Sequence, residues 1–286
     1  MKNMSILLSA LLILSIAAVS CGGGEEADPV QQVEQDITEE TIRQDTGDLM
    51  FTVNGEDFVR SGFVSMDGWH ITFRHLYVTI TDITAYKSHP PYDPHSGGEI
   101  VATMRVELDG VFTVDLAQGD ENTEPILIGT LDDVPAGHYN AITWSMIPST
   151  EGPSNGYTIY LDAQAEKGDQ SYNVYLGFET GYRYTAGDFV GDVRKGFVNT
   201  GVPGELEMTF HFDHIFGDID QPVDCDLNMM AIGFEPFAAL MGEGTVEEDI
   251  ATLEQKLPRE TYARLLEVLT TLGHTGEGHC QCTVIQ

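Results

Sequence analysis

The sequence predicts a mainly β protein: an antiparallel β-sandwich followed by a small C-terminal segment of two helices. Short runs of β-branched and aromatic residues recur through residues 49–242, and Gly, Pro, Asn and Asp separate them. In several runs apolar and polar residues alternate, which is typical of strands that bury one face. A sandwich of this extent, roughly 190 residues, is within the size range of a single all-β domain.

Turn residues divide the predicted strands from one another. Three hairpins are predicted, each from turn residues between two apolar runs: Asn54-Gly55, Asp109-Gly110 and Glu166–Gln170. The segment Trp69–Tyr86 is long enough for two strands or for one bent strand. Glu205–Phe212 is the last predicted strand, because apolar residues alternate with polar ones along its whole length.

Helical periodicity replaces the strand pattern in residues 243–273. Thr245 and Glu248 have the spacing of a capping box, and apolar residues then follow at helical intervals. Pro258 suits the first turn of a second helix, and Gly273 suits its C-terminal cap. We therefore expect two short helices packed on the sandwich, followed by a tail, residues 274–286, that carries two His and two Cys.

The N-terminal residues have the pattern of a bacterial lipoprotein. In residues 1–20 a single Lys precedes an uncharged apolar run, which predicts a secretory signal peptide rather than a membrane span. Ala18–Cys21 resembles a lipobox, and this resemblance implies cleavage before Cys21 and its acylation. We therefore expect attachment to membrane lipid in the cell envelope, with Gly22 favouring the outer membrane. Residues 21–48, which are acidic and poor in large apolar side chains, should form a flexible tether.

The charge of the chain excludes one class of partner. Its 13 basic and 46 acidic residues give a formal net charge of −33. Because the phosphate backbone of nucleic acids is itself negative, a nucleic-acid partner is excluded. The acidic surplus can attract cations or keep the protein hydrated in salty surroundings, so it does not by itself indicate a metal site.

Three cysteines remain once Cys21 is assigned to the lipid anchor. They are Cys225, Cys280 and Cys282. Disulfides persist in exported proteins, and a ring closed between Cys280 and Cys282 would be strained. We therefore expect Cys225 to pair with one of these two and the other to stay free.

The end of the Glu205–Phe212 strand is the first candidate for a metal site. Alternation places His211 and Asp213 on the outer face of this strand, and His214 follows where the strand should end. Imidazole and carboxylate are ligands of zinc and copper, so this group could share one ion, or Asp213 could orient a ligating His. The alternative is a solvated polar face that happens to contain histidines.

The C-terminal tail is the second candidate. His274, His279, Cys280 and Cys282 are ligand types suited to zinc or copper(I). The alternative is a disulfide to Cys225 and a disordered end. The two candidates are compatible, since a disulfide from Cys225 would carry the tail to the strand and add His274 or His279 to one composite site. Because a ligating imidazole must be neutral, affinity should fall below about pH 6.5.

Two further histidines, His70 and His75, are candidates for additional ligands or supporting roles. On a regular strand they point to opposite faces, and His75 shares the face of Ile71 and Phe73, where a core histidine is expected. A calcium site is less favoured, because the acidic loop after His214 lacks the Gly and the Glu of an EF-hand.

The sequence carries no serine-hydrolase elbow, zinc-protease motif or phosphate-binding Gly loop, and binding rather than catalysis is expected. Three segments resemble exported bacterial β-sandwich lipoproteins, among them the copper-binding proteins associated with methanobactin uptake: Trp69–Tyr86, Val134–Tyr139 and Phe210–His214. That resemblance implies histidine ligands near a modified Trp, for which Trp69 beside His70 is the nearest match. The predicted function is metal binding by an anchored lipoprotein. The alternative is a structural or partner-binding envelope lipoprotein without a metal.

Overall fold

The computed structural model describes residues 45–187, 195–240, 244–276 and 278–285. The predicted signal peptide, Cys21 and the tether up to residue 44 lie outside these ranges. The first strand of the described residues begins at Thr46, slightly before the predicted start at Leu49. Within the described residues, no helix combines the length and the apolarity that crossing a bilayer requires.

Strands dominate the part of the chain that the structure describes. They are β1 (Thr46–Asn54), β2 (Phe63–Val64), β3 (His70–Ser88), β4 (Ala102–Asp115), β5 (Ile126–Pro135), β6 (Gly137–His138), β7 (Ala141–Met146), β8 (Ile159–Lys167), β9 (Gln170–Phe178), β10 (Gly181–Gly187), β11 (Phe197–Val198), β12 (Gly204–Phe210), β13 (Thr245–Asp249), β14 (Gly273–Thr275), β15 (Gly278–His279) and β16 (Gln281–Ile285). The helices are α1 (Glu56–Ser61), α2 (Asp213–Phe216), α3 (Asp226–Met230), α4 (Glu235–Ala238), α5 (Ile250–Lys256) and α6 (Arg259–Leu269).

Most strands belong to two sheets that share one hydrophobic core. The strand order is β15-β14-β12-β1-β5 in the first sheet and β13-β9-β8-β3-β7-β10-β16 in the second, where β2 and β4 also pair with β3. Buried residues of both sheets form one cluster, in which the ring of Trp144 on β7 meets the ring of Phe210 on β12 edge-on at 6.4 Å. This confirms the mainly β, sandwich-like fold. The expected antiparallel arrangement is wrong in two places, because β1 pairs with β12, and β13 with β9, in parallel.

One of the three predicted hairpins forms, between β8 and β9. Asn54-Gly55 instead joins β1 to α1, where the Asn54 side-chain oxygen accepts a hydrogen bond from the Glu56 N–H at 3.0 Å. Asp109-Gly110 lies inside β4, at a register shift in its pairing with β3, and Gly110 has φ 138° there. Pairing of β1 with β12, which is distant in sequence, overrides the local turn signal at Asn54-Gly55, whereas at Asp109-Gly110 the pairing of β4 with its sequence neighbour β3 continues past an irregularity.

Trp69–Tyr86 corresponds to one long strand, β3, rather than to two strands. Its pairing with β8 shifts in register between Phe73 and His75, and its pairing with β4 shifts between Thr81 and Ile83. Such irregularities bend a strand and change the direction of the side chains that follow them.

The two predicted C-terminal helices form as α5 and α6, but the predicted capping box is wrong. Residues Thr245–Asp249 are the strand β13, which pairs with the edge of β9. The cap of α5 is Asp249, whose Oδ1 accepts a hydrogen bond from the Thr252 N–H at 2.7 Å. Residues after α6 are also strands: β14 pairs with β12 in the first sheet, and β16 with β10 in the second. The tail therefore connects the two sheets.

Candidate metal centre

The candidate site lies where two parallel neighbours, β1 and β12, both end. Asn54 at the end of β1 is in register with Thr209 of β12. Because parallel strands run in the same direction, the residues that follow them meet at one edge of the sheet, a common place for ligands. Glu56 follows β1 at this edge, and residues 211–214 follow β12.

The expectation that His211 and Asp213 face solvent is wrong. The strand ends at Phe210 and α2 begins at Asp213, and both side chains are buried, with His211 8% and Asp213 5% exposed. The polar face of β12 is covered by polar partners: Glu207 accepts hydrogen bonds from Asn54 Nδ2 at 3.1 Å and from the Lys195 amine. Alternation along this strand therefore reflects a polar interior on one face and an apolar core on the other.

His211, Asp213 and His214 form a compact group. Each offers one ligand atom, and these atoms all lie within 4.8 Å of one another. Among the described residues, no other group of three or more His, Cys, Asp or Glu side chains meets this criterion. Glu56 lies beside the group, with one carboxylate oxygen 3.7 Å from His211 Nε2.

The tail adds two histidines next to this group. His274 of β14 is opposite Thr209 of β12, and its ring centroid lies 4.3 Å from that of His211 and 5.2 Å from that of His214. His279 of β15 is opposite His274, with ring centroids 4.9 Å apart. Strand pairing thus brings the tail to the end of β12, and the predicted composite site requires the tail to lie there.

No disulfide takes part in this approach, because Cys225, Cys280 and Cys282 are free cysteines. The Cys225 sulfur caps α3, where it accepts a hydrogen bond from the Asn228 N–H at 3.5 Å. Cys282 lies instead in β16, opposite Tyr184 of β10. The predicted bridge from Cys225 is therefore not formed. Burial raises the pKa of both tail thiols, that of Cys282 to about 12, so neither is a thiolate at neutral pH.

Thr271 fixes the protonation of two histidines. Its hydroxyl donates to the Val268 carbonyl at 2.8 Å, so its oxygen accepts from His214 Nδ1–H at 2.9 Å. The Thr271 carbonyl accepts from His274 Nε2–H at 3.0 Å. His214 Nε2 and His274 Nδ1 consequently keep their lone pairs, the form in which imidazole binds a metal.

Three buried polar atoms at this place have no hydrogen-bond partner: His211 Nε2, Asp213 Oδ1 and His274 Nδ1. More than nine in ten buried polar groups in proteins are partnered, and leaving one unpartnered costs about 1–3 kcal/mol. A cation held by His211 and Asp213 would satisfy the first two of these atoms, and the His274 ring lies beside that of His211.

The protonation states near neutral pH also suit a cation. Burial raises the pKa of Asp213 to about 6, opposed by the His211 charge and reinforced by Glu56. Burial, with neighbouring histidines, lowers the pKa of His214 to about 4 and that of His274 to about 2. Asp213 is therefore ionised and both histidines are neutral at pH 7, as metal binding requires.

His70 and His75 lie in the other sheet, on β3. The register shift after Phe73 turns His75 outward, so the expected core position is wrong; its Nδ1 lies 2.7 Å from an Asp115 oxygen and its side chain is half exposed. His70 is exposed, and the adjacent Trp69 is buried and donates from Nε1 to Glu235 at 2.8 Å.

Sequence reasoning missed two residues of the site, Glu56 and Thr271. Glu56 has φ 59°, a left-handed backbone that is rare for Glu and recurs at functional sites. A turn signal at Asn54-Gly55 was the available clue, but it favoured a hairpin. For Thr271 the sequence offers no signal, because its two histidine contacts depend on the tertiary fold.

Three surface cavities, of about 390, 300 and 360 Å³, are lined by residues outside the candidate site. The first lies against Tyr157, Tyr160 and Tyr175 on the second sheet. Comparison of the chain with protein-family models, with curated proteins and with solved structures gives no match. The chemistry of the site therefore rests on its own geometry.

Proposed function

We propose that this chain is a metal-binding lipoprotein of the bacterial cell envelope, and that His211, Asp213 and His214 hold one divalent transition-metal ion. One observation carries the proposal: His211, Asp213 and His214 each offer one ligand atom within 4.8 Å of the others, and His211 Nε2 and Asp213 Oδ1 are buried without a hydrogen-bond partner. His274 is the fourth candidate ligand through Nδ1.

The donor set favours zinc or copper. Imidazole nitrogens with a single carboxylate are typical of zinc and copper(II) sites, whereas calcium takes six to eight oxygens. Zinc bonds to nitrogen and oxygen are about 2.0–2.2 Å long, so ligand atoms 4.8 Å apart must approach the ion slightly on binding. The ligands lie at a strand end and in the four-residue helix α2, which can accommodate that movement.

Binding rather than catalysis is the role that we propose. The ligand side chains His211 and Asp213 are buried, and the cavities described above are lined by other residues. A buried site of this kind suits storage or delivery of an ion better than turnover of an organic substrate.

Zinc titration of the chain, produced without a polyhistidine tag, tests the proposal. With a chromophoric chelator as competitor, we expect one tightly held zinc per chain. The double variant His211→Ala/His214→Ala should lose at least about 100-fold in affinity, more than loss of an outer-shell partner costs. The matched control is His70→Ala/His75→Ala, which also removes two histidines.

Two outcomes would contradict the proposal. The absence of stoichiometric zinc, copper or calcium from both the isolated protein and the titrated protein would contradict metal binding and support the structural or partner-binding lipoprotein instead. An equal loss of affinity in the control variant would contradict the assignment of His211 and His214 as ligands.

The lipid anchor is tested separately. Cys21→Ala should leave the protein unprocessed or in the soluble fraction, because the acyl chains supply the membrane affinity. Unchanged fractionation with the membrane would contradict the lipobox interpretation.

A further inference from the structure

A row of four histidines extends from the candidate site to the surface. Ring centroids are 4.3 Å apart between His211 and His274, 4.9 Å between His274 and His279, and 6.1 Å between His279 and His95. The first two side chains are buried, and His279 and His95 are exposed. Successive rings are close enough for an ion to contact two of them in turn.

The sheet builds the inner part of this row. Thr209, His274 and His279 are in register across β12, β14 and β15. Residues directly opposite in an antiparallel pair share one face of the sheet, with Cβ atoms about 4.5–5.5 Å apart. His274 and His279 therefore stay adjacent for as long as the tail is paired.

The loop of residues 89–98 supplies the outer histidine, and it is tied to the same tail. The Tyr92 hydroxyl donates to the Gln281 side chain, and Tyr92 itself is buried. Asp93 accepts hydrogen bonds from the His95 N–H at 2.9 Å and from the Ser96 hydroxyl at 2.6 Å. These contacts hold His95 beside His279 and place a carboxylate next to it.

We propose that His95 and His279 form an outer capture site for a divalent transition-metal ion, and that His274 passes the ion on to the buried site. This inference rests on the proposed function. At each step one metal–imidazole bond forms as another ligand leaves, and no electron is transferred. Such a route solves a problem of the buried site, where His211 Nε2 and Asp213 Oδ1 are shielded from a hydrated ion. The strongly acidic chain raises the local concentration of cations at the exposed end.

Stopped-flow zinc uptake by the full chain tests the route. Zinc is supplied on a weak chromophoric indicator, and loss of the indicator complex reports transfer. In His95→Ala and His279→Ala we expect uptake to slow about tenfold, the lower end of what electrostatic capture contributes to association rates. The equilibrium dissociation constant should stay within about threefold, since neither side chain belongs to the buried group. His70→Ala, another exposed histidine, is the matched control and should bind at the wild-type rate.

The double variant His95→Ala/His279→Ala distinguishes a route from independent effects. A single capture site that needs both histidines predicts a rate close to that of the slower single variant, whereas independent contributions would multiply. Unchanged uptake rates in both single variants would overturn the route. So would an equilibrium affinity lost in parallel with the rate, because His279 would then be a ligand of the buried site. If wild-type protein binds no zinc at all, the proposed function itself fails.

Discussion

His75 and Asp115 on β3 and β4 lie side by side, as do His211 and Asp213 at the end of β12, but the two surroundings differ. In the outer pair His75 Nδ1 is 2.7 Å from Asp115 Oδ2, while Asp115 Oδ1 accepts hydrogen bonds from the Leu76 and Ala117 N–H groups at 2.9 and 3.2 Å. The His75 side chain is 50% exposed. Every hydrogen-bond acceptor of this pair thus either accepts a hydrogen bond or is exposed to solvent.

In the inner pair, His211 Nε2 and Asp213 Oδ1 are buried without a hydrogen-bond partner. Burial also raises the pKa of Asp213 to about 6, so its charge is held at a cost near neutral pH. A histidine next to a carboxylate is therefore not sufficient by itself to indicate a metal site. Burial without hydrogen-bond partners is what distinguishes a candidate metal site from a surface ion pair.

The largest expected difference between the two pairs is the response of stability to zinc. Zinc at 1,000 times its dissociation constant should raise the free energy of unfolding by about 4 kcal/mol, because it binds only the folded chain. His211→Ala should abolish this gain and His75→Ala should keep it. Chemical denaturation with and without zinc measures both. A gain that survives in His211→Ala would remove the distinction between the pairs.

The next largest effect is expected on the free energy of unfolding of the metal-free protein. Since the pKa of Asp213 is raised in the folded state, its ionised form destabilises the fold above pH 6, and this penalty disappears below the unfolded value of 3.8. Asp213→Asn should therefore stabilise the metal-free chain at pH 7.5 by about 2 kcal/mol while weakening zinc binding. The advantage should vanish near pH 4.

Asp115→Asn is the control for that prediction, because Asp115 already accepts two backbone hydrogen bonds. It should bring no gain in stability at pH 7.5. Urea unfolding of both variants across the pH range gives the comparison, and a gain of similar size in Asp115→Asn would contradict the assigned cause.

Acid sensitivity should come from His214 and His274. Their folded-state pKa values, about 4 and about 2, lie below the unfolded value of 6.5. The unfolded chain therefore binds protons first as pH falls, and each histidine removes up to about 1.4 kcal/mol of stability per pH unit below 6.5. In His274→Gln, the free energy of unfolding of the metal-free protein should therefore depend less steeply on pH between pH 6.5 and 4. An unchanged slope would show that His274 is not held neutral.

These pKa values also bear on the expected loss of metal affinity at low pH. His214 and His274 stay neutral well below pH 6.5 in the folded protein, so protonation of these two histidines should not weaken zinc binding near that pH. Asp213 takes up its proton near pH 6 and should then weaken zinc binding.

The smallest expected effect is that of Thr271, which orients histidines at the candidate metal site and not at the outer pair. Thr271→Val removes the oxygen that accepts from His214 Nδ1–H and should weaken zinc binding about tenfold, as loss of an outer-shell partner does. Thr270→Val is the matched control, since the Thr270 hydroxyl also donates to a carbonyl one turn back, that of Glu267, at 2.7 Å. Chelator competition measures both, and equal affinities would show that Thr271 has no orienting role.

The local sequence pattern was sufficient to predict several features of this protein. Strand-forming runs and the helical spacing after residue 249 predicted the mainly β fold and the helices α5 and α6, because side-chain periodicity follows from backbone geometry alone. The same pattern picked out His211, Asp213 and His214, since three ligand residues, two imidazoles and a carboxylate, fall within four positions of the chain. Composition alone also gives the formal net charge of −33, from which the expectation of no nucleic-acid partner follows.

The tertiary structure decided everything that depends on distant pairing. The parallel β1–β12 pair converted Asn54-Gly55 from a hairpin into a connection that brings Glu56 to the site, and a bulge turned His75 outward. Pairing of β14 with β12 brought His274 to His211 without a disulfide, and Thr271 then fixed two tautomers. Register between strands far apart in sequence is selected by total burial and hydrogen bonding across the sheet, and no local pattern contains that information.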